Sequence, residues 1–300
     1  MVGAALRTLL HETIDYAGLF PPASLDMPAV VANYAAYRVG PDAWALGRFV
    51  VSVARLAELE REAEPYALRH PAEPWRLSVL LGADPAAEMK ALGEFNCRHA
   101  ASGAAALSAD AVEAKADSVE SIDRLLAAVP RWAQAYVEIP LDREPAPLVA
   151  AIARHGARAK ARTGGVTADA FPTPAHLLRF LRACTAAGVP FKATAGLHHP
   201  LRAEYPLTYA PGSPRGTMFG FVNLFLAAAF LRQGMGDADA LRLLEERSAD
   251  AIRFGPDAIE WRGHRLDRAA VDAARGQTMV SFGSCSFTEP VDEARHLGWL

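Results

Sequence analysis

The chain is poor in cysteine and has no long apolar run. Its three cysteines, Cys97, Cys184 and Cys285, are far apart, which is typical of reduced thiols in a cytoplasmic protein and not of a disulfide framework. The most apolar segment, residues 220–231, falls short of the roughly 20 residues that cross a bilayer. Residues 1–18 contain no apolar core of the length that a signal peptide needs. We therefore expect a soluble, cytoplasmic protein that does not enter a membrane.

Blocks of like charge are also missing. The 31 basic and 34 acidic residues give a formal net charge of −3, spread along the whole chain. This distribution excludes a basic nucleic-acid footprint and a polybasic membrane patch. The glycine patterns of Rossmann and P-loop nucleotide sites are absent as well. What the chain does have is 51% hydrophobic residues, ample for a large core.

Short β-rich segments alternate with longer segments of helical pattern. An alternation of this length predicts a parallel sheet covered by helices. Eight such units, in roughly 250 core residues, predict a closed (β/α)8 TIM barrel of the α/β class, with a doubly wound open sheet as the alternative. The eight predicted strands lie within residues 13–20, 48–56, 75–82, 105–116, 135–140, 157–163, 190–196 and 278–287.

Two segments depart from this rhythm, and we place both inside one barrel domain that spans residues 1–300. The Pro/Gly-rich loop 197–218 is a candidate lid over the barrel mouth. The turn-rich residues 234–276 are an insertion between the seventh and eighth units. The apolar segment 219–231 is predicted to be a helix that is buried either in the barrel layer or at a homodimer contact.

Charged residues fall at the predicted strand ends, where barrel enzymes carry their active sites. Lys160 and Lys192 occupy equivalent places on consecutive strands, in "AKARTGG" and "PFKATAG", and a glycine follows each. Because side chains alternate along a strand, Lys160 shares a face with Arg162, and Glu113 shares one with Lys115. Charged groups that converge inside a barrel are costly unless they are paired or functional.

Two neighbouring lysines offer a specific chemistry. A lysine amine becomes nucleophilic near neutral pH when desolvation or a nearby cation lowers its pKa, and a second lysine supplies that cation. The amine then attacks a carbonyl and forms an iminium, while a carboxylate, Glu138 or Glu113, moves protons. Arg162 and His198 are predicted to hold an anionic group of the substrate, since guanidinium matches phosphate or carboxylate bidentately.

The stretch "AKARTGG…FPTPAHLLRFLRACTAAGVPFKATAG" resembles the sixth-to-seventh strand segment of the deoxyribose-phosphate aldolases, class I aldolases on a (β/α)8 barrel. "FGSCS" (282–286) is similar to that family's final strand turn, where backbone N–H groups bind phosphate. The resemblance implies that Lys160 forms the Schiff base and that Lys192 lowers its pKa. Leu197 stands where the family has a second glycine. With Arg162 and His198, the predicted substrate-binding set is completed by Thr163, Gly164, Gly165, Gly283, Ser284 and Ser286.

The sequence thus predicts a class I aldolase-like lyase for a small carbonyl substrate that carries a phosphate or carboxylate, with no cofactor or metal assigned. Dehydratase and decarboxylase chemistry remain open. One alternative is a metal-dependent lyase or isomerase using Glu138, His198, His199 and Asp15. Another is a non-catalytic barrel that binds an anionic metabolite through Lys160, Arg162 and Lys192. For Cys285 as a nucleophile, the sequence shows no histidine–acid partnership.

Overall fold

The computed structural model describes residues 4–67, 74–101 and 107–300. In chain order its strands are β1 (Ile14–Tyr16), β2 (Leu46–Ser52), β3 (Trp75–Leu80), β4 (Leu107–Lys115), β5 (Gln134–Glu138), β6 (Arg158–Arg162), β7 (Phe191–Thr194), β8 (Ala203–Pro206), β9 (Arg215–Met218), β10 (Ile252–Phe254), β11 (Ala258–Trp261), β12 (His264–Asp267) and β13 (Met279–Ser284). The α-helices are α1 (Ala4–Leu10), α2 (Met27–Arg38), α3 (Leu56–Ala67), α4 (Pro85–Ala101), α5 (Val119–Ala127), α6 (Ala146–Arg154), α7 (Pro174–Ala187), α8 (Phe221–Arg232), α9 (Asp237–Leu244), α10 (Arg268–Gln277) and α11 (Thr288–His296).

Eight of the strands form a closed parallel barrel. Strands β1 to β7 pair in chain order, and β13 closes the ring between β7 and β1. Helices ring the barrel and bury their apolar faces against it, so that the apolar side chains form a core continuous with the barrel wall. The predicted (β/α)8 TIM barrel is confirmed, and the doubly wound alternative is wrong. Each of the eight predicted segments overlaps a barrel strand, although β2 and β5 begin two residues and one residue earlier than predicted. Residues 105 and 106 of the fourth segment lie outside the described residues.

Local sequence signals set the ends of several helices that surround the barrel. Asp26 precedes α2 and accepts a hydrogen bond from the Ala29 N–H, a standard N-cap interaction. Ser118 and Ser121 cap α5 reciprocally, each side chain accepting from the other's backbone N–H. Helix α7 stops at Gly188, whose φ of 62° lies in the left-handed region that glycine adopts without strain.

The two segments that depart from the repeat have structure of their own. Loop 197–218 contains the antiparallel hairpin β8–β9. The insertion contains α9 and most of α10, with the antiparallel sheet β10–β11–β12 between them. Within the insertion, Glu246 holds the segment after α9 to the end of β11 by accepting hydrogen bonds from Trp261 Nε1 at 3.0 Å and Arg262 Nε at 2.6 Å. Burial alone would raise the pKa of Glu246, but hydrogen bonds from Arg262 and the Ser248 N–H lower it to about 2.

Helix α8 is the apolar segment for which the sequence allowed two burial sites. Its residues 221–231 are all buried within this one chain. The covering elements are α7, α9, α10 and β13. The alternative prediction, that this helix is buried at a homodimer contact, is therefore wrong, because α8 has no apolar face left for a partner. Among the helices of the described ranges, none combines the length and apolar character required to cross a membrane.

Candidate active site

The barrel register brings the two lysines to one level. Lys160 on β6 is the direct register partner of Lys192 on β7 and of Glu138 on β5. Lys192 in turn lies opposite Ser281 on β13. Their side chains are buried, as is that of Glu113 on β4. The four residues predicted to be catalytic therefore lie together inside the barrel.

Glu113 bridges the two lysines. Its Oε2 lies 2.8 Å from Lys160 Nζ, and its Oε1 lies 2.6 Å from Lys192 Nζ. The hydroxyl of Ser78 on β3 donates a further hydrogen bond to Oε1 at 2.6 Å. Burial alone would raise the pKa of Glu113, but the two ammonium groups hold it well below its ordinary value. Glu113 is thus a carboxylate, with both oxygens engaged.

Lys192 is fully enclosed, with no exposed side-chain surface. Besides Glu113, it contacts Asp15 Oδ2 on β1 at 2.6 Å. Asp15 is itself held by Ser281 Oγ at 2.9 Å and by the Arg48 N–H at 2.8 Å. Asp15 is missing from the predicted catalytic set. Its position at the end of the first strand was the available signal, but only the metal-dependent alternative included it.

Lys160 is the more accessible lysine. Its side chain is 8% exposed, and its second partner is Glu138 Oε2 at 2.8 Å. Lys115 Nζ approaches the other oxygen of Glu138 at 3.7 Å, but its side chain is 78% exposed. A pair this exposed contributes little to stability. Glu138 is consequently directed mainly at Lys160.

The lysines differ from expectation in their protonation. Burial alone would lower the pKa of each, but the carboxylates around them raise it: Glu113 and Glu138 for Lys160, Asp15 and Glu113 for Lys192. The prediction that Lys192 lowers the pKa of Lys160 is therefore wrong for this arrangement. The reason is that Glu113 lies between the two ammonium groups. Three carboxylates and two ammonium groups give the cluster a formal charge of −1.

A cavity of about 210 Å³ lies against this cluster, lined by Lys160, Lys192 and Glu113. Apolar side chains form much of its wall, including Leu207 and Met218 from loop 197–218 and its hairpin. Lys160 and Glu113 also line a larger cleft of about 880 Å³, together with Glu138 and residues that follow β3. Lys160 thus faces both spaces, while Lys192 lines only the smaller one.

Four residues of the predicted substrate-binding set line the small cavity: Arg162, Gly165, His198 and Gly283. Arg162 is exposed, and within the described ranges its guanidinium has no ion-pair partner. It borders both of the spaces that Lys160 borders. An unpaired guanidinium that borders both spaces beside a buried cluster of net negative charge is a strong candidate for binding an anionic group.

The other four predicted residues have internal roles. Thr163 donates its hydroxyl to the Ala195 carbonyl at 2.7 Å, which ties the end of β6 to the end of β7. A Cβ on Gly164 would lie 2.5 Å from the Phe171 ring, and one on Gly196 would lie 2.7 Å from the same ring and 3.2 Å from Gly164 Cα. The glycine that follows each lysine strand is therefore required for packing.

At the end of β13, the serine hydroxyls are occupied by protein groups. Ser284 Oγ lies 3.1 Å from His198 Nδ1 and accepts from the Ser286 N–H. Ser286 Oγ accepts from the Glu289 N–H at the start of α11. Neither serine lines the cavity, and the Glu289 carboxylate adds negative charge close by. The predicted phosphate site at this turn, which would use backbone N–H groups, stays a prediction, and of its predicted residues Gly283 lines the cavity.

The fold brings a histidine and an acid close to Cys285, and this proximity could not be predicted from the sequence. Cys285 Sγ lies 3.7 Å from His198 Nδ1, and Glu289 Oε2 lies 3.9 Å from the same nitrogen. Burial, with a smaller contribution from His199, lowers the pKa of His198 to about 4, and burial raises the pKa of the Cys285 thiol. The pair is a neutral imidazole beside a thiol, which is not the charged pair of a cysteine nucleophile.

A scan of protein-family models and a search of curated proteins find no match to this chain. The resemblance to the deoxyribose-phosphate aldolases therefore stays a prediction. Of the metal-dependent alternative, two proposed ligands, Asp15 and Glu138, have carboxylates that contact lysine ammonium groups. Across the part of the chain that the structure describes, the one His/Cys/Asp/Glu group with the spacing of a metal site is His199, Glu289 and Glu293.

Proposed function

We propose that this chain is a class I aldolase-like lyase that forms a Schiff base between Lys160 and a small carbonyl substrate. One observation carries the proposal. The Lys160 ammonium borders a cavity at the C-terminal ends of the barrel strands and has carboxylate oxygens of Glu113 and Glu138 at 2.8 Å on either side. This arrangement combines an amine, two proton-transfer groups and a space for substrate, where barrel enzymes carry their chemistry.

Exposure favours Lys160 over Lys192 as the nucleophile. A carbonyl must reach Nζ, and Lys160 borders two spaces while the Lys192 side chain has no exposed surface. Lys192 instead neutralises Asp15 and one oxygen of Glu113. We assign it a positioning role: it fixes the orientation of Glu113, which in turn orients the Lys160 ammonium.

A raised pKa does not prevent Schiff-base formation, because the net reaction conserves charge. A lysine ammonium and a carbonyl give an iminium and one water molecule, and both the ammonium and the iminium carry one positive charge. The carboxylates that pair with the ammonium therefore also stabilise the iminium. Attack still needs a transiently neutral amine, for which Glu138 accepts a proton from Nζ and returns it to the carbinolamine hydroxyl as water leaves.

The same carboxylates serve carbon–carbon cleavage. As the bond between the α and β carbons breaks, its electron pair moves to the iminium and forms a neutral enamine. Glu138 or Glu113 takes the proton of the β-hydroxyl, so the β carbon leaves as an aldehyde. The protonated carboxyl then returns its proton to the enamine carbon, and water releases the ketone or aldehyde product. Every charge is balanced within the cluster of Glu113, Glu138 and Lys160.

Charge and size limit the substrate. The cluster is already negative by one charge, so an anionic group is repelled from it and is better placed at Arg162. On the side that both lysines line, the cavity of about 210 Å³ is smaller than the roughly 300–1,000 Å³ of sites for drug-sized ligands, while the cleft of about 880 Å³ on the other side of Lys160 sets no such limit. A short carbonyl compound with a terminal phosphate or carboxylate at Arg162 fits both constraints. The few, widely spaced cysteines favour a cytoplasmic setting.

The chain contains only four lysines, Lys90, Lys115, Lys160 and Lys192, which makes borohydride trapping a sharp test. Protein is incubated with borohydride and a panel of small aldehydes, keto acids and sugar phosphates, and its intact mass is measured. We expect one reduced adduct with at least one anionic carbonyl, absent from Lys160→Met and retained in Lys90→Met, which changes an exposed lysine. Stabilisation by a panel compound without any adduct would instead indicate a non-catalytic binding barrel.

A further inference from the structure

A second cluster of ionisable side chains lies outside the lysine site. His199 follows β7 in loop 197–218, and Glu289 and Glu293 lie one turn apart on α11, where i,i+4 side chains share a face. One nitrogen or oxygen of each lies within 4.8 Å of the others. His199 is buried, and the two glutamates are partly buried.

Neighbouring tyrosines orient these side chains. The His199 ring stacks on Tyr205, with ring centroids 3.4 Å apart and planes 8° from parallel. Nδ1 of His199 lies 2.7 Å from Glu293 Oε1. The Tyr209 hydroxyl donates to Glu289 Oε2 at 2.9 Å, which leaves Oε1 of that carboxylate available. Outer hydrogen bonds and ring contacts of this kind hold metal-binding side chains in place.

The charge of the cluster is unbalanced. In the described parts of the chain, the ion pairs of Glu289 and Glu293 are to His198 and His199, and none is to a lysine or arginine. Two partly buried carboxylates thus lie together with only histidine side chains as their ion-pair partners in the described residues. A bound cation would relieve the repulsion between them.

We propose that His199, Glu289 and Glu293 bind one divalent transition-metal ion. One imidazole nitrogen and two carboxylates suit zinc or manganese. Atoms bound to one zinc at about 2.0–2.1 Å lie roughly 3–3.5 Å apart. His199 Nδ1 and Glu293 Oε1, now 2.7 Å apart, would therefore separate slightly, and their hydrogen bond would be replaced by bonds to the ion. This site uses none of the residues of the lysine cluster and does not depend on the proposed function.

The ion would fasten loop 197–218 to α11. His199 belongs to the loop, and so do Tyr205 and Tyr209, which orient the ligands. The same loop supplies Leu207, and its hairpin supplies Met218, to the wall of the cavity beside Lys160. Metal binding is therefore expected to fix one wall of the cavity without contributing a group to the chemistry.

Binding is tested by titrating tag-free, chelator-treated protein with zinc in a calorimeter. We expect one equivalent to bind, with Kd at least tenfold weaker in His199→Gln and in Glu289→Gln; the latter keeps an acceptor for Tyr209. Asp292→Asn is the matched control, because Asp292 is an exposed carboxylate on the same helix that pairs with Arg295. Absence of binding, or equal binding in the wild type and both variants, would overturn the proposal.

The fastening is tested separately by limited trypsin digestion at Arg215, which is exposed in the hairpin. Saturating zinc should slow this cleavage at least threefold in the wild type and leave the rate in Glu289→Gln unchanged. Zinc binding with no change at Arg215 would overturn the fastening role. Borohydride trapping on the lysine cluster should still occur in Glu289→Gln, so failure of either account can be recognised without the other.

Discussion

Replacement of Glu113 by glutamine tests the arrangement of the buried charges. The change removes the one carboxylate that contacts both lysine ammonium groups, at 2.8 Å and 2.6 Å, in a site where Glu113 is 2% exposed. Breaking a buried ion pair from one side typically costs about 3–5 kcal/mol. In the variant, Lys160 still contacts Glu138 and Lys192 still contacts Asp15. We therefore expect the free energy of unfolding to fall by an amount in this range and not by twice as much.

The corresponding change in melting temperature follows from the size of the chain. An unfolding entropy of about 2.1 cal/mol/K per residue over 300 residues means that each kcal/mol lowers Tm by about 1.6 °C. Glu113→Gln should therefore melt about 5–8 °C below the wild type in calorimetry at pH 7. Glu58→Gln is the matched control, because Glu58 forms a half-exposed pair with Arg55 and should change Tm by about 1 °C or less. Equal melting temperatures of Glu113→Gln and Glu58→Gln would refute this account of the cluster.

Three further predictions concern single charges. The pKa of Lys192 is raised above its ordinary 10.5, so its contribution to the free energy of unfolding is complete below pH 10.5 and is lost as the pH rises further. The free energy of unfolding in urea should therefore change less between pH 10 and pH 12 in Lys192→Met than in the wild type. Glu246 has a pKa lowered from 4.5 to about 2, so its contribution to the free energy of unfolding is present above pH 4.5 and is lost as the pH falls to about 2. In the same urea assay, the free energy of unfolding should therefore fall less between pH 4.5 and pH 2 in Glu246→Gln than in the wild type. Arg162→Met should raise the concentration of anionic carbonyl needed for half-maximal borohydride trapping by roughly tenfold or more, because a charge-assisted contact with the substrate is lost. An unchanged concentration would show that Arg162 does not bind the substrate.

The barrel could be predicted from the sequence because its signal is repeated eight times. Each unit pairs a short β-rich segment with a helical pattern, and an error in any one boundary leaves the alternation intact. The fourth segment, rich in alanine, was assigned from its place in this rhythm and forms β4. The first strand is only three residues long, Ile14–Tyr16. The Ala17 N–H still donates to the Ser284 carbonyl of β13, and the Ala17 carbonyl then accepts the Phe20 N–H in a turn.

The convergence of Lys160, Lys192, Glu113 and Glu138 followed from strand ends and side-chain alternation. The direction of the lysine pKa shifts could not be predicted in the same way, because it depends on how many carboxylates contact each ammonium group. Asp15 reaches Lys192 across 177 residues of sequence, and this contact exists only because β13 and β1 close the barrel. Similarly, Ser286 reads as a phosphate ligand in the sequence, whereas in the fold its Oγ accepts a hydrogen bond from the Glu289 N–H in the first turn of α11.

Lys160 is proposed as the covalent nucleophile, and locating the borohydride-reduced adduct by tandem mass spectrometry tests this assignment directly. The proteolytic peptides that carry Lys90, Lys115, Lys160 and Lys192 are distinct, so a single modified site is unambiguous. We expect the reduced substrate on Lys160, with Lys192 unmodified because its side chain has no exposed surface. An adduct on Lys192, with Lys160 unmodified, would contradict it.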